Sequence, residues 1–396
     1  MVRSSLNRRL PRNTQGASVF RKSGWKASPR FGTWPYYSGE CQEAVTSLLL
    51  QGGSLSAYRA NPQVGVEPRK DSYAWKLERE VERRFRVKHA VAVNSGTAAL
   101  HAGLASLDLR GGEVITSPYT FSATASAIVL AGGTPVFADV DPYTFCITPE
   151  TVKPYVTKRT KAILPVHLFG GLADVHGLRA FGVPVIEDAC QAVGASRQGV
   201  YSGAFGLAGA YSFNGGKNVP AGECGVLVTN DPKVAQRARL LMNHAENFGA
   251  DWVGLNYRPN ELTACVAYHG LLELKERNQQ RITLARHLYS RTPIGHPVHR
   301  WYGDHVFYVA PFTLRKLDRS LFIKRMKRMG VTVGGGYVTP PIHHYPAFRK
   351  YAKRELPIVD ELSFKTLCLL DCVRPPATER DMEYVAECMK KALCAR

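Results

Sequence analysis

Between residues 73 and 276, short apolar runs alternate with longer stretches in which apolar side chains return every three or four positions. The runs at 89–93, 113–117, 135–139, 162–166, 184–187, 206–213 and 225–229 predict strands. The longer period at 73–86, 97–107, 122–131, 174–181, 232–242 and 260–276 predicts helices. In the first of these, Leu77, Val81 and Phe85 fall on one face, and in the last Leu262, Val266, Leu271 and Leu274 are the apolar positions. A strand covered on both faces reads as an uninterrupted apolar run. Seven such runs separated by helices therefore predict an α/β fold: a mostly parallel seven-stranded sheet with helices on both faces.

Beyond about residue 280 the pattern changes. A helix at 285–290, a strand-like run at 306–312, a helix at 320–329, a strand at 331–334 and a terminal helix at 379–393 predict a smaller α+β domain. The expected organisation is a basic arm over 1–30, a large α/β domain over 31–280 whose segment to about residue 72 shapes the substrate site, and a small C-terminal α+β domain over 281–396.

With 396 residues, 45% of them hydrophobic, the chain can bury cores in both units without covalent staples. Its nine cysteines are odd in number and scattered, which argues against a disulfide framework and for a reducing, cytoplasmic setting. Cys368 and Cys372 are spaced for one helical face, but two further ligands at suitable spacing are lacking, so no metal is expected. The apolar runs are too short for a signal sequence or a membrane span. The formal net charge of +20 changes the picture more. Arg3, Arg8, Arg9, Arg12, Arg21, Lys22, Lys26 and Arg30 occupy the first thirty residues without an acid, which suits contact with a polyanion as well as plain solvation.

Three segments carry candidate chemistry. Asn94-Ser95-Gly96-Thr97-Ala98-Ala99-Leu100 joins a strand to a helix, where free backbone N–H groups and the helix dipole favour a phosphate, although Ser and Thr are also ordinary caps. Asp188, in Glu187-Asp188-Ala189-Cys190-Gln191-Ala192, ends a buried strand at the sheet edge where open α/β folds build sites. An ionised acid there needs a positive partner, and the competing reading is a helix cap. Lys217 follows Tyr211-Ser212-Phe213-Asn214-Gly215-Gly216, a strand and glycine turn that can hold the backbone while freeing the amine. A partly desolvated, cation-lined setting would lower the pKa of that amine and favour attack on an aldehyde.

In this order the segments resemble the DegT and StrS group of PLP-dependent sugar and aminocyclitol aminotransferases, of fold type I. The likeness extends through Ser117-Pro118-Tyr119-Thr120-Phe121-Ser122-Ala123-Thr124, Pro135-Val136-Phe137-Ala138-Asp139-Val140-Asp141, Pro165-Val166-His167-Leu168-Phe169-Gly170 and Gly254-Leu255-Asn256-Tyr257-Arg258. The resemblance implies that pyridoxal 5'-phosphate is the cofactor, that Lys217 bonds its aldehyde as a Schiff base and shuttles protons, and that Asp188 keeps the pyridine nitrogen protonated. It also implies that Gln191 contacts the ring hydroxyl, that Phe121 stacks on the ring beside Tyr119, and that Gly96, Thr97 and Ser212 hold the phosphate. Asn256 or Arg258 would complete the partner subunit's phosphate site in a homodimer. His167, His343 and His344 are weaker candidates for substrate contact.

The implied activity is ping-pong transfer of an amino group from glutamate or glutamine to a keto-sugar, nucleotide-linked, or to a keto-cyclitol, as in antibiotic biosynthesis. Related enzymes with histidine at the lysine position are sugar dehydratases, so Lys217 favours transamination. A PLP-dependent dehydratase or epimerase and a nucleic-acid-associated protein using the basic arm are the alternatives. Two departures stand out. Gly222-Glu223-Cys224-Gly225 replaces the usual Gly-Glu-Gly-Gly and brings a thiol toward the site, and residues 1–72 match the family poorly.

Overall fold

The computed structural model describes residues 31–52, 54–58, 67–245, 253–294 and 303–394. The basic arm, and residues 53 and 59–66 of the expected substrate-shaping stretch, lie outside the described residues. The strands are β1 (His89–Val93), β2 (Glu113–Thr116), β3 (Thr134–Phe137), β4 (Thr160–Leu164), β5 (Ile186–Asp188), β6 (Ser196–Arg197), β7 (Val200–Tyr201), β8 (Ala208–Ser212), β9 (Gly225–Thr229), β10 (Ala310–Thr313), β11 (Gly334–Gly335) and β12 (Leu367–Leu370). The helices are α1 (Gly39–Gln51), α2 (Tyr73–Phe85), α3 (Gly96–Ala105), α4 (Ala123–Leu130), α5 (Pro149–Val152), α6 (Val175–Arg179), α7 (Pro232–Met242), α8 (Glu261–Leu272), α9 (Leu274–Tyr289), α10 (Arg319–Arg328), α11 (Pro357–Glu361) and α12 (Glu379–Cys394).

Pairing runs β1–β9–β8–β5 and β3–β2–β4, and parallel bridges at Ile163/Val185 and Val166/Asp188 join the two sets. The result is the seven-stranded sheet expected from the sequence, in the order β1–β9–β8–β5–β4–β2–β3. Only β9 runs against the rest, pairing antiparallel with β1 and β8. Every apolar position of β8 and β9 is buried, which is why their sequences read as continuous apolar runs.

Helix α2 shows how the amphipathic elements are fixed. Ser72 caps it by accepting from the Trp75 N–H, and Arg86 ends it in the left-handed conformation at φ 55°. Leu77, Val81 and Phe85 are buried along its inner face, each contributing about 1.5–3 kcal/mol. Glu261 of α8 accepts from the Tyr73 and Ala74 N–H groups, so the two helices share a cap as well as an apolar seam.

The long helix expected over 260–276 and the short one over 285–290 are instead α8 and α9, with the break at Glu273. Helix α9 runs through residue 280. Leu274 packs into the core under the large sheet, whereas Leu284, Ala285 and Leu288 belong to the core around the antiparallel sheet β10–β12–β11. Cys368 lies in strand β12 and Cys372 just beyond it, so the helical face proposed for them does not exist. Among the described residues no helix is long and apolar enough to cross a membrane.

Candidate active site

The carboxyl ends of β5 and β8, the turn after β1 and the loop after β2 converge on one edge of the large sheet, where a doubly wound fold places its ligands. Ser95 opens α3 by accepting from the Ala98 N–H, leaving the Gly96 and Thr97 N–H groups in the first turn, where no intrahelical acceptor can reach them. The turn is packed tightly. A Cβ on Gly96 would lie 2.7 Å from Ser212 Cβ and 2.8 Å from Cys190 Sγ, and one on Gly225 would lie 2.5 Å from the Ser95 carbonyl carbon. The structure thus brings Gly96, Ser212 and Cys190 together, with Thr97 half-buried beside them.

Asp188 is 5% exposed. Thr124 Oγ1, on α4, donates to its Oδ2 at 2.7 Å, and the Cys190 N–H donates to its Oδ1 at 3.2 Å. Among the described residues this carboxylate has no ion-pair partner. A buried acid that accepts two hydrogen bonds and lacks a counter-charge is shaped to receive a cationic N–H, and a protonated pyridine nitrogen supplies one. Together with the free N–H groups at the start of α3, this is the chemistry pyridoxal phosphate requires.

Lys217 lies in the connection between β8 and β9. That connection is laced by its own backbone: Lys217 N–H donates to Asn214 O, Gly215 N–H to Gly222 O, and Ala221 N–H to Phe213 O. Its half-buried side chain places Nζ 4.5 Å from the Tyr308 ring centroid. The neighbour is a π face where the sequence suggested a lining of cations. Asp188 and Lys217 act on a common group. Burial holds the Cys190 thiol well above its ordinary pKa, the Asp188 charge raises it further, and the Lys217 charge pulls it back. The thiol at the site is therefore Cys190, whereas Cys224 is fully buried in the core and pushed up to about 12 by desolvation.

The other anticipated residues fall into three groups. Gln191 is spent inside the chain: its Oε1 accepts from the Phe169 N–H and its Nε2 donates to Tyr337 Oη, both at 2.9 Å. Tyr119 is fully buried, its hydroxyl accepting from the Tyr337 N–H. Both residues fix the wall carrying Tyr337. Phe121, by contrast, is 63% exposed in the loop just before α4. Arg258 bonds Asn256 Oδ1 and Asn243 Oδ1 and faces His244 on an exposed loop. That loop touches the phosphate turn through the Asn94 N–H, which donates to Tyr257 O.

Each of the three histidines faces a carboxylate within the chain. His167 is fully buried; its Nδ1 accepts from the Ala173 N–H and its Nε2 donates to Glu187 at 2.7 Å, which fixes the neutral Nε2–H tautomer and leaves no polar atom over. Glu187 also accepts from the Gly203 and Gly206 N–H groups. Glu187→Gln turns one acceptor oxygen into a donor facing these N–H groups, and is expected to lower unfolding stability by about 1–3 kcal/mol in denaturant melts. His343 and His344 stack at 4.1 Å and both face Asp360 Oδ1, at 3.2 and 2.9 Å.

Sequence reading did not single out Thr124, Tyr308 or Tyr337. Thr124 ends a matched segment, but its role shows only once α4 is placed against β5. Tyr337 opens the stretch to Tyr345 that resembles the family's acceptor loop but carried no role of its own, and Tyr308 lies in no matched segment.

The sequence model of the DegT/DnrJ/EryC1/StrS aminotransferase family matches residues 69–390. The chain is 33% identical over 337 residues to a pleiotropic regulatory protein of Geobacillus stearothermophilus, covering 80% of this chain and 88% of that one. It is 32% identical over 333 residues to the GDP-perosamine synthase of Caulobacter vibrioides, covering 78% and 86%. The fold superposes on the X-ray structure of the aminotransferase from Psychrobacter cryohalolentis with a TM-score of 0.82 at 26% identity, covering 92% of this chain and 98% of that one. Family match and site chemistry agree: the chain belongs to the DegT/DnrJ/EryC1/StrS aminotransferase family and is a pyridoxal phosphate-dependent aminotransferase.

Proposed function

We propose that this enzyme takes an amino group from glutamate or glutamine and passes it, in a second half-reaction, to a keto group of a nucleotide-linked sugar or of a cyclitol. The observation that carries the reading is Asp188, 5% exposed at the end of β5 and without an ion-pair partner among the described residues, on the same sheet edge as the β8–β9 connection that holds Lys217 and the uncapped N–H groups of α3. Pyridoxal phosphate supplies the electron sink when bound. Lys217 is the group that moves the proton, acting as base and then as acid. Asp188 holds a proton at the ring nitrogen, and Gly96, Thr97 and Ser212 seat the phosphate. The likeness to a GDP-perosamine synthase supports a nucleotide-sugar acceptor, and the excess of basic residues suits a phosphorylated substrate.

The working unit is a homodimer in the cytoplasm. Phe121 at 63% and Val253 at 85% exposure are large apolar side chains left in solvent by a single chain, on segments that flank the site and the Asn256–Arg258 loop. In the dimer, Asn256 or Arg258 reaches the partner's phosphate seat, and Phe121 covers the ring face. The test is spectroscopic. Glutamate or glutamine should remove the long-wavelength absorbance of the holoenzyme, and a keto-sugar nucleotide or keto-cyclitol should restore it. A band unmoved by either amino donor sinks the transaminase reading, and restoration by simple keto acids alone sinks the acceptor.

A further inference from the structure

Behind the wall that carries Tyr308, three arginines meet one tryptophan. The guanidinium carbons of Arg277, Arg281 and Arg374 lie 5.5, 4.9 and 5.7 Å from the Trp34 ring centroid. Arg277 and Arg281 stand one turn apart on α9, Arg374 follows β12, and Trp34 belongs to the segment leading into α1. That segment is pinned to the small domain: Phe31 is in its core, and a Cβ on Gly32 would lie 2.4 Å from Pro376 Cγ.

The donors in this cluster outnumber the acceptors. Arg281 is 0% exposed. Its Nη1 donates to the carbonyl oxygens of Phe307 and Tyr308, both at 3.1 Å, while Nε and Nη2 have no partner. Arg277 is 2% exposed and directs Nη2 to Glu273 and to Tyr36 O, leaving Nε and Nη1 unpaired. The Trp34 indole N–H is buried and unpaired as well. Stacking on an indole face offsets guanidinium charge, but it leaves the in-plane N–H groups of the guanidinium without acceptors. Charge leads to the same point. Among the described residues Glu273 pairs with Arg277 and Asp371 with Arg374, so three guanidinium groups face two carboxylates; Arg281 feels the Asp371 charge but pairs with no acid of its own. Burial, with the Arg374 charge beside it, pulls the Arg281 pKa down to about 9. A guanidinium does not give up its proton in a protein, so the cluster needs a counter-ion rather than a neutral arginine.

We propose that Trp34, Arg277 and Arg281 bind one small monovalent inorganic anion of the halide class. One negative charge neutralises the excess, and the N–H groups that the Glu273 carboxylate and the carbonyls leave unpaired (Trp34 Nε1, Arg277 Nε and Nη1, Arg281 Nε and Nη2) provide its coordination. The site is separate from the phosphate seat at α3. It is joined to the catalytic edge through Arg281, which holds the Tyr308 carbonyl while the Tyr308 ring faces Lys217 Nζ. The anion thereby ties the segment before α1 to the wall of the active site.

The test is thermal melting of the holoenzyme in sodium chloride and in sodium gluconate at matched ionic strength, with chloride-35 NMR line width as a direct readout of binding. The wild-type Tm should rise saturably with chloride and not with gluconate, and excess-chloride line broadening should accompany it. Arg281→Met should lose both responses. Should that variant fail to fold, Trp34→Phe keeps a ring face and removes a single N–H, and its chloride midpoint should move upward by about tenfold or more. Matching chloride and gluconate curves for the wild type would mean that water satisfies these donors and would overturn the site. A saturable chloride response retained in Arg281→Met, or an unmoved midpoint in Trp34→Phe, overturns the assignment of these residues.

Discussion

Lys217→Ala is expected to lower amino transfer by about 10³-fold or more, while the protein keeps its fold and still binds its cofactor. The size follows from the roles the amine combines: nucleophile toward the cofactor's aldehyde, and proton carrier in both half-reactions, where general acid–base catalysis alone is worth about 10²–10⁴. The preserved fold follows from the way the loop is held. Asn214, Gly215 and Gly222 secure it through backbone bonds, and Gly216 N–H donates to Asn214 Oδ1, so none of these contacts uses the ammonium group. What the side chain gives up is a contact with the Tyr308 ring, worth about 0.5–1 kcal/mol at a partly exposed site. The apo melting temperature should therefore stay close to wild type while turnover collapses, and the cofactor, without its Schiff base, should be held only by the phosphate seat and Asp188. Lys217→Arg separates charge from chemistry: it keeps a cation near Tyr308 but cannot act as an amine near neutral pH, and should be as inactive as the alanine variant. Activity within tenfold of wild type in either variant would remove Lys217 from the mechanism.

This separation of scaffold from chemistry also shows which parts of the molecule a sequence exposes. Strands β1 and β9 coincide with their predicted bounds because β1 is an apolar run between Lys88 and Asn94, and β9 is one that starts at Gly225 and is closed by Asn230. Asp188 and Lys217 were legible for a related reason, since strand ends and glycine turns are local features and the sheet edge is where such ends collect. The break between α8 and α9 was hidden because Leu271 and Leu274 continue the apolar spacing through Glu273, and periodicity carries no signal for a change of helix axis. Strand β12 escaped for a different reason. Leu367–Leu370 is four residues long, and its partners Ala310–Thr313 and Gly334–Gly335 lie far back in the chain. Tyr308, just before β10, reaches the site through that pairing, and its role depends on tertiary structure that no short motif encodes. The thiol shows the limit within a motif: Cys190 sits in a matched segment and Cys224 in a departure from one, and only the packing of Cys190 against Gly96 and Ser212 decides that Cys190 faces the site.

Asp188→Asn isolates the charge of the acid from its hydrogen bonds, because the surroundings can adapt to an amide. The Asn oxygen can go on accepting from the Cys190 N–H, as Oδ1 does now. The new amide N–H₂ would face Thr124 Oγ1, which lies 2.7 Å from Asp188 Oδ2 and 2.8 Å from Thr120 Oγ1. Hydroxyl protons rotate, so the Thr120–Thr124–188 chain can reverse its direction, with Thr124 accepting from the amide and donating to Thr120. Every bond survives and only the negative charge is lost. In the apo form that loss should be neutral or stabilising, since the carboxylate is 5% exposed and has no ion-pair partner among the described residues. In the holo form it removes one partner of a buried charge pair, a change that costs about 2–5 kcal/mol, or roughly 30- to 4,000-fold in cofactor affinity and turnover. The signature is a cofactor-dependent rise in Tm that shrinks in the variant while the apo Tm holds or increases. An apo Tm that falls as far as the holo Tm would assign Asp188 to the fold instead, as an acceptor for Thr124 and Cys190 rather than the counter-charge of the cofactor.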